Sequence, residues 1–518
     1  MPRSPLGRVA SAGFVAASMI VPLGVAVPAV SAAAAPAATS AAVVRLPADA
    51  TPASPSVPPA PSTQGRPAPS AVPNPAVPNP AVPNPAVPNP AVPNPAVPNP
   101  AVTAIPTTAQ STPFLSDTDL RRHGYVEEEF SFRGKANIYT IPTLADATVA
   151  TPDIPYTSRL IVRRPVDPRR FNGVVVVEWL NVSAGYDIEA AWLPHREHFL
   201  REGYAWVGVS AQTGGVNHLK AWNPDRYGSL DTTAGGTVTP PDSLSYDIFS
   251  QAVQALRSPK QVRPLGALTA RHVMAVGASQ SAGRLAVYHN AIHPLHTVID
   301  SLLLTVGGGA LRTDVDLKVL QVLSETDVRT PSTTPDSVTF RRWEVAGTSH
   351  FDENIQSALD RLLERDYPEG VTAPDCTSPP FSRVPLHHVT NTAIDHLARW
   401  ARFGAAPPSA PGLTFTTGPD GRQVLARDGR GIALGGIRLA AVDVPTAVNT
   451  GVNGGESFCI LYGTHVPFDE ATLNQLYRSH ADYVGKVTAA AARNVARGYV
   501  VQADAAATIV EARRSDIP

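Results

Sequence analysis

The chain has 518 residues, with 42 lysines and arginines against 43 aspartates and glutamates, and its formal net charge at pH 7 is −1. The charges form no basic block, so composition gives no electrostatic support for nucleic-acid binding, and we expect no nucleic-acid partner. Only two cysteines occur, Cys376 and Cys459, and neither stands in a metal-ligand spacing.

The first segment, residues 1–35, has the order of an export signal. Arg3 and Arg8 give a basic start, an apolar stretch follows, and small residues near Ala32 to Ala35 offer a cleavage site. The alternative is a membrane anchor, but Pro22 interrupts the apolar stretch and favours cleavage. We therefore expect a secreted or cell-surface protein that uses a Sec-type signal peptide.

Residues 36–112 are rich in proline and alanine, and the unit AVPNP occurs six times in succession over residues 71–100. Proline fixes φ and removes a backbone donor, so such a segment predicts a disordered or polyproline-like linker. It is either a stalk that brings the protein close to a cell wall or a tether that expanded by repeat slippage. The residues of the segment fit both interpretations.

From residue 113 to 518 the composition is that of a globular domain, in which apolar β-branched runs alternate with helical spacing. This alternation predicts a mostly parallel central sheet with helices on both faces, the α/β class. Predicted strands are Arg159–Pro165, Gly173–Leu180, Ala205–Ser210, Arg271–Ser279, Ser301–Gly307, Leu317–Ser324 and Arg341–Gly347, and predicted helices are Ala190–Gly203, Ser245–Ser258 and Gln280–Ile292.

A long insertion, residues 211–245, follows an early strand and contains Trp222 and Tyr227. Loops of this length are usually functional or disordered. We expect the insertion to pack over the site and shape a pocket, with a surface excursion anchored by one tryptophan as the alternative.

Three chemistry-bearing residues follow predicted strands in chain order. Ser279 follows the run HVMAVGA, Asp327 follows LKVLQVL, and His350 follows RRWEV. An α/β-hydrolase carries its nucleophile, acid and histidine in this order, each at a strand end. The pattern therefore predicts a Ser-His-Asp triad.

The nucleophile is assigned to Ser279 because it stands at the turn between strand and helix. Gly277 and Ser281, two residues before and after it, are both small, as the crowding at such a turn requires. Ser281 is a second hydroxyl in the motif, but we expect it inside the helix. The alternative is a strand–helix corner of small residues without chemistry.

Two carboxylates compete for the role of the acid. Asp327 and Glu325 lie in the same predicted loop, and Asp327 is preferred because it lies farther from the strand end. Asp314, after the preceding strand, is a distant third. His350 is the only histidine in its loop.

An oxyanion hole needs two backbone donors. One is predicted to be the N–H of Gln280, and the other a donor from the loop Glu178–Asp187, Asn181 or Leu180. His195 and His198 have the spacing of a metal pair, but a helix with two solvated histidines is the preferred interpretation. The glycine-rich run Thr305–Ala310 is predicted to be a strand-end loop that lines the site.

These runs resemble the bacterial "alpha/beta hydrolase domain" family. The similar stretches include VVVEWLNVS, AWNPDRYGSL, GASQSAGRL, SETDV and AGTSHFD, and they extend to FCILYGTHVPFD near the C-terminus. The resemblance covers roughly Gly124 to the C-terminus. It implies an α/β-hydrolase fold with a C-terminal extension and a serine hydrolase of unspecified substrate.

We therefore predict an exported carboxylic-ester hydrolase acting through Ser279, Asp327 and His350, with no metal and no cofactor. Its partner is expected to be a small-molecule, lipid or polymer ester, and Cys376 and Cys459 are expected to form a disulfide. The alternatives are a cell-envelope acyltransferase with the same triad and a non-catalytic binding module of the same fold.

Overall fold

A computed structural model describes residues 96–108, 110–117, 119–367 and 375–518. The predicted signal segment, the first five AVPNP units and most of the predicted linker lie outside the described residues. Among the residues that are described, no helix is both long and apolar enough to cross a membrane.

One large sheet organises the domain. Its strands are β1 (Ala101–Ile105), β2 (Tyr125–Thr140), β3 (Thr148–Pro165), β4 (Val174–Trp179), β5 (Ala205–Val209), β6 (His272–Ala278), β7 (Ser301–Thr305), β8 (Lys318–Ser324) and β9 (Phe340–Val345). Their spatial order is β1-β2-β3-β5-β4-β6-β7-β8-β9. The pairs from β1 to β5 are antiparallel, and those from β5 through β4 to β9 are parallel.

The helices cover both faces of this sheet. They are α1 (Trp192–Glu202), α2 (Thr213–Trp222), α3 (Pro224–Tyr227), α4 (Ser245–Arg257), α5 (Gln280–Val287), α6 (His293–His296), α7 (Glu353–Asp366), α8 (Leu386–Phe403), α9 (Ala440–Asp443), α10 (Cys459–Tyr462), α11 (Glu470–Leu476), α12 (His480–Ala496) and α13 (Gln502–Arg514). Four short strands form two small sheets within the C-terminal extension: β10 (Phe415–Thr417), β11 (Gln423–Leu425), β12 (Ala447–Thr450) and β13 (Thr464–Pro467).

The side chains of β4 explain why every residue of this strand except Glu178 is apolar. Val174 and Val176 pack on the face that carries α1 and α8, whereas Val175 and Val177 pack on the opposite face with α4 and α5. Successive residues of a strand point to opposite faces, so a strand covered on both sides is apolar at nearly every position. The predicted mostly parallel sheet with helices on both faces is confirmed.

The domain begins earlier than the predicted boundary after residue 112. Ala101–Ile105 forms β1 and pairs with β2 along its whole length, so this part of the predicted linker belongs to the sheet. The reason is local composition: AVTAI keeps the first two residues of the repeat but has no proline, so its backbone can pair. In the sixth repeat, Val97 is buried in the core beside α4.

The insertion between β5 and α4 is partly helical. Most of its first half forms α2 and α3, and Trp222 at the end of α2 packs edge-on against Phe114, with ring centroids 5.3 Å apart. The Tyr227 hydroxyl donates to the Glu129 carboxylate at 2.8 Å. The aromatic residues of the insertion therefore anchor it to the N-terminal part of the domain.

Candidate active site

Ser279 stands alone between β6 and α5 in a backbone conformation that is unusual for its residue type. Its φ is 58° and its ψ is −119°, whereas side chains other than glycine rarely adopt positive φ. Gly277 makes the turn possible, because a Cβ there would lie 2.7 Å from the carbonyl oxygen of Ser281. The helix therefore starts in direct contact with the strand, and Ser279 is at the corner.

Ser281 has a structural task at this corner. Its side chain is fully buried, its Oγ donates to the Ala278 carbonyl at 2.9 Å, and it accepts from the Ala278 N–H at 3.0 Å. Both hydrogen-bonding capacities of the hydroxyl are thus engaged within the turn. The second serine of the motif holds the strand end to the helix start.

The acid–histidine contact is formed by Asp327 and His350. Asp327 lies in a short turn after β8, and its Oδ1 is 2.7 Å from Nδ1 of His350, which follows β9. The buried Ser324 donates to the other carboxylate oxygen at 2.5 Å and so fixes the carboxylate plane. The His350 backbone N–H donates to Thr326 Oγ1 at 3.2 Å.

Glu325 is directed elsewhere. Its buried carboxylate accepts from the backbone N–H of Gly347 at 2.7 Å and of Gly451 at 3.1 Å, and it pairs with the Arg427 guanidinium at 2.6 Å. These bonds join the turn after β8 to the C-terminal extension. The structure thus brings Asp327, and not Glu325, to the imidazole; Asp314 lies at the surface, paired with Arg312.

Ser279, Asp327 and His350 follow β6, β8 and β9 at the carboxyl ends of the parallel strands, the edge where sites in such sheets gather. No hydrogen bond of the described residues involves Ser279 Oγ or His350 Nε2. Asp327 therefore occupies one imidazole nitrogen and leaves the other unengaged. Contacts between nucleophile and base are often long before substrate binds.

A cleft of about 430 Å³ opens beside two of these three residues. Asp327 and His350 line it, together with Gly307 from the loop after β7. Gly307 touches the nucleophile turn, because a Cβ added to it would lie 2.8 Å from the carbonyl oxygen of Ser279. The predicted glycine-rich loop does lie at the cleft, whereas no residue of the insertion 211–245 lines this particular cleft.

One predicted oxyanion donor is wrong, and the other is free. As the first residue of α5, Gln280 has a backbone N–H without an acceptor inside the helix. The N–H of Asn181 donates to the Ile188 carbonyl at 3.2 Å, and that of Leu180 donates to Val209 at 3.3 Å. Neither of these two is available to a substrate.

The loop after β4 nevertheless reaches the nucleophile turn by another route. The Asn181 side chain donates through Nδ2 to the Ala278 carbonyl at 2.9 Å, and it accepts the Ser183 N–H at 2.8 Å. Val182, between these two residues, has a backbone N–H with no acceptor in the described part of the chain. Sequence reasoning missed Val182 because backbone donors leave no side-chain signature.

The histidine pair on α1 is buried, and the prediction of solvated histidines is wrong. His195 Nδ1 lies 2.9 Å from Asn391 Oδ1, and His198 Nε2 lies 3.0 Å from Asp395. Burial lowers the pKa of His195 to about 3, so this imidazole is neutral. Within the described residues, no group of three or more His, Cys, Asp and Glu is placed to hold a metal ion.

Cys376 and Cys459 are joined in a disulfide. Cys459 begins α10, and Leu461 of the same helix lines the cleft. The Leu461 carbonyl accepts the N–H of Phe351, the residue after His350, at 3.0 Å. The disulfide therefore tethers a segment that forms one wall of the cleft and contacts the histidine loop.

Comparisons with known proteins bear on the fold. A family model described as "Alpha/beta hydrolase domain" matches residues 95–510. Among solved structures, a serine hydrolase without lid from Xanthomonas campestris is 15% identical over 46% of this chain and 97% of its own, with a TM-score of 0.25. A glucuronoyl esterase from Teredinibacter turnerae is 11% identical over 45% of this chain and 62% of its own, with a TM-score of 0.24.

A chain from a structural analysis of two fungal esterases from Rhizomucor miehei is 13% identical over 47% of this chain and 71% of its own, with a TM-score of 0.23. TM-scores of this size carry no argument about activity. The search of curated proteins gives no match. The family model, which covers most of the chain, is therefore the informative comparison.

Proposed function

We propose that this chain, which belongs to the alpha/beta hydrolase domain family, is a serine hydrolase that cleaves carboxylic esters through an acyl-enzyme on Ser279. The observation that carries the proposal is the 2.7 Å contact between Asp327 Oδ1 and His350 Nδ1 at the sheet edge that also bears Ser279. A serine hydroxyl needs a base, and the base needs a third group to orient it.

In the proposed reaction, Ser279 Oγ attacks the ester carbonyl carbon and its proton passes to His350 Nε2. The tetrahedral oxyanion accepts hydrogen bonds from the N–H groups of Gln280 and Val182. The intermediate then expels the alcohol, which takes the proton from His350. Water then attacks the acyl-enzyme and gives a proton to His350. The carboxylic acid leaves as His350 returns a proton to Ser279 Oγ.

Asp327 is assigned an orienting role in this scheme. Its hydrogen bond at Nδ1 fixes the imidazole tautomer that accepts a proton at Nε2, and its charge stabilises the imidazolium that forms. The bond from Ser324 supports this role because it leaves the carboxylate a single orientation toward His350.

We also propose that the protein is exported. The disulfide between Cys376 and Cys459 supports it, because disulfides persist in oxidising compartments outside the cytoplasm. On this proposal the proline-rich linker would hold the catalytic domain near the cell surface, close to lipid or polymer esters.

The proposed activity is tested on the full chain with 4-nitrophenyl esters of graded acyl length. Wild type should release nitrophenol with at least one ester, whereas Ser279→Ala and His350→Ala should fold normally and lose turnover. Unchanged turnover in Ser279→Ala would refute the assignment. An acyltransferase would instead give mostly transfer product when an alcohol is added.

A further inference from the structure

The charged side chains that line the cleft differ in whether they have a partner within the protein. Asp327 and His350 bond to each other, Ser324 also donates to Asp327, and the other ionisable groups that line the cleft are Arg329 and Arg342. Arg342 is paired, because its Nε donates to the Glu344 carboxylate at 2.7 Å. Asp327 and Arg342 are therefore both engaged by other groups of the protein, and Arg329 remains to be accounted for.

Arg329 is the group without a partner. It lies two residues beyond Asp327 in the loop after β8, it is exposed, and its guanidinium makes no hydrogen bond or ion pair with any residue that the structure describes. A guanidinium presents a planar fork of donors that matches a carboxylate in two parallel hydrogen bonds. Its place on the cleft wall makes it available to a bound molecule.

The glycine loop after β7 adds backbone donors to the same cleft. Gly307, Gly308 and Gly309 all line it, and none of their N–H groups has an acceptor among the described residues. The Gln321 side chain holds the loop in place by donating to the Gly307 carbonyl at 2.8 Å. Unengaged backbone N–H groups are the donors from which anion-binding sites are built.

We propose that this cleft, with Arg329 and the loop 307–309, binds a carboxylate carried by the ester substrate, so that the enzyme acts on esters of acidic molecules. The inference rests on the proposed function, because it assigns a substrate class to the same site. Gly307 touches the Ser279 turn and His350 lines the cleft, so a carboxylate held there belongs to the molecule under attack.

The test compares matched esters that differ by one carboxylate. On the acyl side the pair is mono-4-nitrophenyl adipate and 4-nitrophenyl hexanoate, and on the alcohol side 4-acetoxybenzoate and its methyl ester. Wild type should favour the charged member of one pair, which also tells which side of the ester enters the cleft. Arg329→Gln should lower kcat/KM for that ester about 10- to 100-fold, as expected for loss of a charged hydrogen bond, and change the neutral ester by no more than about twofold.

Two variants serve as controls. Arg329→Lys keeps the charge and should recover part of the loss, whereas Arg422→Gln removes an exposed arginine outside the cleft, paired with Asp420, and should have no effect. The inference would be overturned if Arg329→Gln lowered kcat/KM equally for charged and neutral esters, or if wild type preferred neither charged ester. In both cases, turnover of the neutral esters would still support the hydrolase activity. Absence of turnover with all four esters would count against the hydrolase itself and remove the basis of the inference.

Discussion

Oδ1 of Asp327 lies 2.7 Å from Nδ1 of His350, although the two residues are 23 positions apart in the chain. Glu325, two residues earlier in the same turn, instead joins Arg427 and two backbone N–H groups. Neighbouring carboxylates thus have separate tasks. One is placed to orient the histidine, and the other holds the C-terminal extension against the site.

This division predicts different outcomes for two conservative substitutions. Asp327→Asn should keep the fold and lower kcat on the order of 10³- to 10⁴-fold, because the amide favours the wrong imidazole tautomer. Glu325→Gln should instead lower the free energy of unfolding by about 2–3 kcal/mol, by weakening charged hydrogen bonds, with a much smaller effect on kcat. Denaturant unfolding and ester kinetics on both variants check this, and a larger kcat loss at Glu325 would reverse the assignment.

The two glycines on either side of Ser279 give a matched pair. Gly277→Ala places a Cβ 2.7 Å from the Ser281 carbonyl oxygen, so it should destabilise the protein by about 1–3 kcal/mol and displace the nucleophile. Gly283→Ala meets nothing nearer than the Gly308 oxygen at 3.9 Å and should be neutral or slightly stabilising. Thermal unfolding and ester turnover of both variants measure the contrast, and equal behaviour of the pair would contradict the tight corner.

Removing the hydroxyl of Ser281 should affect stability more than chemistry. Ser281→Ala leaves the buried Ala278 N–H without its partner, which should cost about 1–3 kcal/mol of unfolding free energy. Ester turnover should persist because Ser279 is untouched. Loss of all turnover in a folded Ser281→Ala protein would show that the second serine takes part in the reaction.

The disulfide should stabilise both the domain and the cleft wall. It spans 83 positions, so replacing both cysteines by serine should lower the free energy of unfolding by roughly 4 kcal/mol. Because Leu461 follows Cys459 on the cleft wall, KM should rise in the folded double variant. Reductant should reproduce both effects in wild type and change nothing further in the double variant. An unchanged KM in the folded double variant would show that the disulfide does not shape the cleft.

Stability should fall in acid because several histidines are buried in the neutral form. Burial lowers the pKa of His195 and His387 to about 3 and, of four others, to about 4: His272, His293, His296 and His388. Each of these groups binds a proton near pH 6.5 once unfolded, so its destabilising effect grows as pH falls through 6.5 toward the folded value.

Four buried carboxyl groups have the opposite effect on how the free energy of unfolding depends on pH. Burial raises the pKa of Asp247 to about 6, of Glu189 and Asp352 to about 7, and of Glu178 to about 8. Their stabilising contribution is present at low pH and is lost as pH rises through these values. Because the histidines outnumber them, the free energy of unfolding should peak at about pH 6–6.5 and decline on both sides. Urea unfolding at about pH 4.5, 6.5 and 9 checks this, and a value that rises steadily toward acid would be inconsistent with it.

The sequence predicts the sheet well because strand periodicity is a local property. All seven predicted strands occur, and the doubly covered β4 is recognisable from its near-continuous apolar run. Two of the nine strands of the large sheet, β1 and β2, are not among those predicted. The residues of the edge strand β1 follow a proline repeat and are largely exposed, so they lack the apolar signal of a central strand.

The finer features of the site depend on contacts that periodicity does not encode. Asp327 and Glu325 differ in role only because of the groups that they contact. Asp327 contacts the imidazole of His350, whereas Glu325 contacts the guanidinium of Arg427, which is distant in the chain. Asn181 fails as a backbone donor because its N–H bonds to Ile188, a pairing within a loop. His195 looks like a surface histidine in sequence, but α8 covers it and supplies Asn391.

The central claim is that Ser279 is the nucleophile, and covalent labelling of the full chain with a fluorophosphonate tests it most directly. The account predicts a single adduct in wild type, mapped by peptide mass spectrometry to Ser279, retained in Ser281→Ala and absent in Ser279→Ala. No adduct in wild type, or an adduct that persists in Ser279→Ala, would contradict it.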